Sequence, residues 1–382
     1  MRRLIRFMQK RSGIETECGT GPYVPRSLLL QWHITERCNL RCLHCYQEDY
    51  SSREMHWDQW VQVLDQFNAL LARWRNGTGK TGMRGHITVT GGEPFVHPDF
   101  MRLLEQFSEE KHRYSFAILT NGSMIDRPVA RALSRLRPRF VQVSMEGGPE
   151  THDRLRGAGN FETTCDAIRH LVAANIPTLV SFTAHRENYR EFPEVVEIAC
   201  KLKVDKVWSD RFLPNGAGMD HMAGEALTPE ETREYFNSMA GVREATRRRW
   251  FCRTEVAMDR ALQFLEGDGR PYFCKAGDSL ITLMPNGDVY PCRRMPIHVG
   301  NLLEQPLEMI YNSHPLLKQL RDPQQVSEGC GGCFYTGLCK GGLKCLSYAV
   351  HGDPFVRDPG CWHGDTENEN ATTQPAREEI HP

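Results

Sequence analysis

The chain has 382 residues, with 47 basic and 48 acidic side chains, a formal net charge of −1 and 14 cysteines. That length allows two or three domains and a sizeable core. The balanced charge excludes a general attraction to nucleic acid or an anionic membrane surface, and no apolar run reaches the length of a membrane span. The stretch from Met1 to Gly13 alternates Arg with Leu, Ile and Phe and lacks a continuous apolar segment, so it does not read as a secretory signal. The expectation is a cytoplasmic protein whose cysteines serve metal rather than disulfides.

Residues 1–27 read as a short preamble with Cys18 in a loop, smaller than a recognition domain. From Leu28 onward strands and helices alternate. Residues 28–34 form a short apolar strand. Trp57, Trp60, Val61, Leu64, Phe67, Leu71 and Trp74 recur at steps of three and four, predicting a long amphipathic helix closed by Asn76-Gly77. Further strands are expected at 87–90, 116–120, 140–144, 179–183 and 207–212. Helices are expected from Pro98 (apolar face Phe100, Leu103, Leu104, Phe107) and at about 127–136, 160–174 and 190–203. Cys165 and Cys200 fall on apolar helix faces and read as core. Repeated strand–helix units imply a parallel sheet flanked by helices, closed or partly closed. Residues 217–270 read as a helical bridge in which Thr228-Pro229-Glu230-Glu231 starts a helix, threonine capping and proline opening the first turn.

Just past the first strand lies Cys38-Asn39-Leu40-Arg41-Cys42-Leu43-His44-Cys45. Three thiolates on one short loop can hold three irons of a [4Fe–4S] cluster and leave the fourth iron open. A structural zinc knuckle is the alternative, but it needs a fourth ligand at short range, and His44 is badly placed between two of the three. The loop resembles the cluster-binding loop of the radical S-adenosylmethionine (radical SAM) enzymes, in which the amino and carboxylate groups of SAM chelate the open iron. Cys38, Cys42 and Cys45 are then the catalytic cluster ligands, with His44 counted among the groups around the cofactor.

The strand ends carry the polar clusters expected of parallel α/β sheets. Thr90-Gly91-Gly92-Glu93-Pro94 resembles the family's GGE motif, in which two glycines allow close backbone approach and the carboxylate holds the SAM ammonium. Capping of the following turn is the competing role for Glu93. Thr120-Asn121-Gly122 matches a turn frequent in the family, or a plain strand-to-helix turn. Ser144-Met145-Glu146-Gly147 stands where the family usually shows Ser-x-Asp-Gly, which implies a SAM contact for Ser144. Arg156 matches an arginine that pairs with a SAM carboxylate, although an ordinary ion pair would also suit it. Arg211-Phe212-Leu213-Pro214-Asn215-Gly216 is similar to a motif at the last barrel strand, making Arg211 a candidate substrate residue. The resemblance implies a partial (β/α)6 barrel over residues 28–216.

A second cysteine set follows in residues 271–362: Cys274, Cys292, Cys330, Cys333, Cys339, Cys345 and Cys361, with a hairpin turn at Pro285-Asn286-Gly287. Its spacing resembles the small, cysteine-rich SPASM domain, which usually carries two auxiliary [4Fe–4S] clusters. The interval Cys339–Cys345 is two residues longer than usual. The family scheme gives Cys330, Cys333, Cys339 and Cys361 to a distal cluster and Cys274, Cys292 and Cys345 to a proximal one. Cys252 is a candidate fourth proximal ligand; otherwise that iron is open. Two zinc sites are the alternative for the region. Residues 363–382, polar, acidic and free of aromatics, read as a disordered tail.

The resemblance implies one-electron reductive cleavage of SAM to a 5′-deoxyadenosyl radical, which takes an unactivated hydrogen from substrate; auxiliary clusters suit oxidative outcomes. Relatives with SPASM domains mostly modify ribosomally made peptides or proteins, and a minority act on tetrapyrroles or small alcohols. Arg293 stands where sulfatase-maturing relatives carry a basic Asp, which disfavours that activity. With Arg294 beside it, Arg293 is a candidate for binding a substrate carboxylate. The readings are a peptide maturase, an enzyme of haem-like tetrapyrrole side chains, and a non-catalytic iron–sulfur carrier or sensor. The GGE motif and Arg156 argue against the last. A flavodoxin- or ferredoxin-like electron donor is expected.

Overall fold

The computed structural model describes residues 23–78, 84–266 and 272–363. Most of the 1–27 preamble, with Cys18, and the tail beyond His363 lie outside the described residues. In chain order the elements are β1 (Leu28–His33), α1 (Trp57–Thr78), β2 (Gly85–Thr90), α2 (Phe100–Glu109), β3 (Tyr114–Thr120), α3 (Arg127–Leu136), β4 (Val141–Ser144), α4 (Pro149–Arg156), α5 (Asn160–Ala173), β5 (Thr178–Ala184), α6 (Phe192–Lys201), β6 (Lys206–Arg211), α7 (Ala217–His221), α8 (Pro229–Arg248) and β7 (Glu255–Val256). The cysteine-rich part adds β8 (Leu280–Leu283), β9 (Asp288–Tyr290), β10 (Gly300–Asn301), α9 (Leu307–Ser313), α10 (Pro315–Arg321), α11 (Thr336–Cys339) and α12 (Lys344–His351).

Strands β1 to β7 pair in parallel and in chain order, as strand–helix–strand crossovers require. This is the expected α/β architecture, with α4 as an additional helix before α5. The hairpin expected in the cysteine-rich region is present, with Gly287 at φ 92 in its turn. It is not a separate layer: β8 pairs in parallel with the outer edge of β1, Leu29 opposite Leu280, and extends the barrel sheet.

Burial of α1 follows its apolar stripe with one change of phase. Trp60, Leu64, Phe67, Leu71 and Trp74 are buried together with Val63 and Leu70, whereas Val61 is exposed. Trp60 meets Trp32 of β1 edge-on, with ring centroids 6.0 Å apart, a favoured aromatic geometry. The helix start at Thr228 forms a full capping box with Glu231.

Two expectations about single residues are corrected. Cys252 is no cluster ligand: it is disulfide-bonded to Cys200, which is therefore also not a plain core thiol. The cause is the return of the chain after α8. Thr254 Oγ1 donates to Val204 O and β7 adds alongside Lys206–Val207, which brings residue 252 to the end of α6, at the start of β6. The second correction concerns Arg211. It is buried, and its two terminal nitrogens donate to Asp358 at 2.8 and 2.7 Å, so it is no free substrate-binding cation. Asp358 also accepts from Leu343 N and Gly360 N. One carboxylate thus fastens the C-terminal cysteine segment to β6. Removing one member of a buried ion pair typically costs about 3–5 kcal/mol. Asp358→Ala is expected to lower unfolding free energy by about that amount, read from denaturant unfolding of the cluster-loaded protein. A loss under about 1 kcal/mol would place the pair among ordinary surface ion pairs.

Candidate active site

The loop bearing Cys38, Cys42 and Cys45 has no secondary structure of its own and is fixed from outside. Gly92 N donates to Thr35 O and Glu93 N to Arg37 O, both at 2.9 Å. A Cβ on Gly91 would lie 2.4 Å from Thr35 O, and one on Gly92 2.4 Å from Arg37 O. The two glycines therefore let the end of β2 lie against the start of the loop, in addition to facing the cavity. From other sides Leu43 N donates to Leu155 O at the end of α4, and Gly218 N donates to Cys45 O. The turn ahead of α7 must have glycine at 216, because a Cβ there would overlap the Tyr46 carbonyl.

The loop forms one wall of a cavity of about 260 Å³ at the carboxyl ends of the strands. Gly91, Gly92, Ser144 and Arg156 also face this space, as do Trp208, Asp210 and Arg294 across it. Glu93 lies behind the glycines and is fully buried. Its Oε1 accepts from Thr120 Oγ1 and Phe95 N, and its Oε2 from Asn121 N. A carboxylate has about four acceptor positions, so one stays open. Burial pushes its carboxyl up to about 7, with the three donors pulling the other way.

Glu146 is held in a different way. It is buried, accepts from Arg156 Nη2 at 2.6 Å and from Thr183 N at 2.8 Å, and has His44 Nε2 3.4 Å away. Burial alone would raise its carboxyl, but Arg156 and His44 outweigh that and hold it well below the usual carboxylate range. Arg156 Nη1 reaches the Cys42 sulfur at 3.8 Å, Leu40 N the Cys38 sulfur at 3.4 Å and Asn121 Nδ2 the same sulfur at 3.9 Å. Burial pushes the Cys42 thiol up to about 11, against the pull of Arg156. Three sulfurs on one loop, two of them met by N–H donors, with a cavity in front, suit an iron–sulfur cluster. When bound there, such a cluster with SAM on its open iron supplies reductive cleavage of SAM.

Cys330, Cys333, Cys339 and Cys361, the four that the family scheme implies for a distal cluster, all face one small hollow. Burial raises the Cys330, Cys339 and Cys361 thiols, Cys339 to about 12. Four mutually close thiols in an apolar hollow fit a metal cluster as ligand set. Cys274, Cys292 and Cys345 pack in a second small core with Leu343 and Met295. Burial raises the Cys292 thiol, with Cys274 adding to it, and the Cys345 thiol, with Cys292 and Cys274 adding and Arg294 opposing.

The two adjacent arginines are both engaged. Arg293 is buried, its Nη2 3.7 Å from Glu36 and its guanidinium over the Tyr46 ring. It does not face the cavity as a free cation. Arg294 does face the cavity, with Nη1 bonded to Asp210 and Nη2 donating to Arg211 O. Sequence reasoning missed Asp210, Trp208 and Gln142, whose Oε1 accepts from Trp208 Nε1 at 2.8 Å. Trp208 and Asp210 alternate with buried residues along β6. An acid and a large polar-tipped ring at period two, on one face of a parallel strand, is the signal that was available.

Residues 32–199 match the family model of the radical SAM superfamily, and residues 274–334 that of the SPASM iron–sulfur cluster-binding domain. The chain belongs to the radical SAM superfamily. It is an enzyme of the radical SAM/SPASM type that uses SAM and iron–sulfur clusters. Over 348 residues it is 26% identical to the AdoMet-dependent heme synthase of Methanosarcina barkeri, covering 87% of this chain and 95% of the relative. Over 351 residues it is 26% identical to the mycofactocin maturase MftC of Mycobacterium tuberculosis, covering 89% and 84%. In fold it is similar to Streptococcus suis SuiB solved with the precursor peptide SuiA: TM-score 0.69, 16% identity, 93% of this chain and 78% of that one. In this radical SAM enzyme Cys252→Ser is expected to leave iron content at the wild-type level. Loss of iron in that variant would return Cys252 to the ligand set.

Proposed function

We propose that this enzyme oxidatively modifies a ribosomally made peptide or protein, with Cys38, Cys42 and Cys45 holding the SAM-binding cluster and SPASM cysteines holding two more. The observation that carries the peptide reading is the character of the cavity wall. Gln142, Ser144, Ser181 and Thr183 face it, offering donors and acceptors suited to an amide backbone. The cations that would answer the propionates of a tetrapyrrole are already neutralised, Arg293 beside Glu36 and Arg294 by Asp210. A further relative, the PqqA peptide cyclase of Gluconobacter oxydans, 27% identical over 355 residues, supports the same choice. The named heme synthase keeps tetrapyrrole side-chain modification as the second reading.

On this reading Gly91, Gly92, Ser144 and Arg156 border the SAM site, and the open acceptor position of Glu93 takes the SAM ammonium. His44 acts through Glu146, which orients Arg156. The distal cluster belongs to Cys330, Cys333, Cys339 and Cys361, and the proximal one to Cys274, Cys292 and Cys345 with one iron open. A small flavodoxin- or ferredoxin-like protein supplies electrons in the cytoplasm; no helix among the described residues is long and apolar enough to cross a membrane.

The test is anaerobic turnover of reduced, cluster-loaded enzyme. 5′-Deoxyadenosine should form, and a short peptide encoded beside the enzyme's own gene should change mass. Turnover of an iron coproporphyrin with no peptide change would overturn the choice. Iron and sulfide should each approach about twelve per chain for three [4Fe–4S] clusters, and stoichiometric zinc would remove the cluster reading of the SPASM cysteines. Glu93→Gln should weaken SAM binding about 10- to 150-fold, the equivalent of a charge-assisted hydrogen bond of about 1.5–3 kcal/mol. Loss of fold stability with unchanged SAM affinity would leave Glu93 as a cap alone.

A further inference from the structure

Beyond β5 the chain makes a turn whose first residue, His185, is fully buried with no hydrogen-bond partner on either ring nitrogen. The ring is seated edge-on against Phe212, with centroids 6.5 Å apart. Its backbone is fixed as well: His185 N donates to Asn188 Oδ1, and Asn188 Nδ2 donates to Glu146 O. An imidazole in this position has exchanged water for no compensating bond, which is costly unless something else occupies the lone pair.

Two carboxylates converge on it. Glu225 Oε2 stands 3.7 Å from His185 Nδ1, beyond hydrogen-bonding distance. Glu187 completes the group, and ligand atoms of the three residues all lie within 4.8 Å of one another. The carboxylates are themselves placed by the backbone. Arg186 N donates to Glu225 O and Glu187 N to Glu225 Oε2, while Arg154 pairs with Glu187. Ligand bonds of about 2.1 Å meeting at a tetrahedral angle separate two donor atoms by about 3.4 Å. The observed 3.7 Å between imidazole and carboxylate is thus close to a coordination spacing and long for a direct bond.

We propose that His185, Glu225 and Glu187 form a divalent-cation site at the carboxyl end of β5, separate from the iron–sulfur ligands. One imidazole and two carboxylates are donors typical of zinc, manganese or ferrous iron rather than of an iron–sulfur cluster. Water completes the coordination, since Glu187 lies at the surface with its side chain 46% exposed. The site ties the turn after β5 to the segment ahead of α8. Asn188 of that same turn holds the Glu146 carbonyl, so the cation supports the strand ends from which Glu146 positions Arg156.

Mn2+ is the probe, because it favours oxygen and imidazole over thiolate and the cluster-loaded protein has its cluster thiols occupied. Binding is followed by loss of the free-Mn2+ paramagnetic resonance signal as oxidised holoenzyme is titrated. The expected result is a single Mn2+ per chain, with affinity reduced about tenfold or more in His185→Gln, Glu225→Gln and Glu187→Gln at unchanged iron content. Absence of Mn2+ uptake by the wild type overturns the site. So does equal uptake by the wild type and all three variants. Should His185→Gln fail to fold, Glu187→Gln decides, since an exposed residue is dispensable to folding.

Discussion

Everything at the active end of this molecule depends on the placement of a cysteine loop that cannot place itself. The segment from Thr35 to Gln47 is non-repetitive, and its thiols have to face one point. The fold solves this by pressing neighbours against it. The Gly91–Gly92 backbone lies on its start, the end of α4 holds its middle through Leu155, and the turn at Gly216 closes over Tyr46. Each contact is between backbones, and at Gly91, Gly92 and Gly216 a single side-chain carbon would interfere. The Gly91-Gly92-Glu93 stretch is therefore a packing device in its own right. Its carboxylate extends the same logic by tying β2 to the end of β3 through Thr120 and Asn121.

The charged groups around the cavity arrange themselves by a similar economy. Buried charges are tolerated when paired and hydrogen-bonded, and three ion pairs stand around the cavity: Arg156 with Glu146, Arg294 with Asp210, Arg211 with Asp358. The three pairs differ in what they join. The first stays within the barrel and aims a guanidinium at the Cys42 sulfur. The second spans barrel and SPASM region across the cavity. The third is deeper and purely architectural. Glu146 bridges two elements, accepting from Thr183 N on β5 and from Arg156 at the end of α4.

Much of this was legible in the chain itself, because it rests on local pattern. The three-cysteine loop, the order of strands and helices, the Thr228 cap and the Gly287 turn all follow from residues close in sequence. The remainder depends on partners far apart. Nothing near Cys252 marks Cys200 as its neighbour; only the addition of β7 beside β6 brings them together. Nothing in the Arg211 motif points to Asp358, and nothing in Arg293 reveals Glu36 beside it. Val61 was misplaced for a different reason, since the apolar stripe of α1 is wide enough for either phase until β1 and α2 select one.

The junction of β8 with β1 carries a consequence for how the polypeptide comes into being. Leu29 finds its partner Leu280 about 250 residues later. Until that segment leaves the ribosome, β1 has only one neighbour, and an apolar strand with an unsatisfied edge invites pairing with other chains. A strand made late thus seals the first. Its arrival closes the vulnerable side of the nascent barrel with the segment between Cys274 and Cys292, so the stretch that protects the young sheet is the same one that brings in the first cysteines of the C-terminal region.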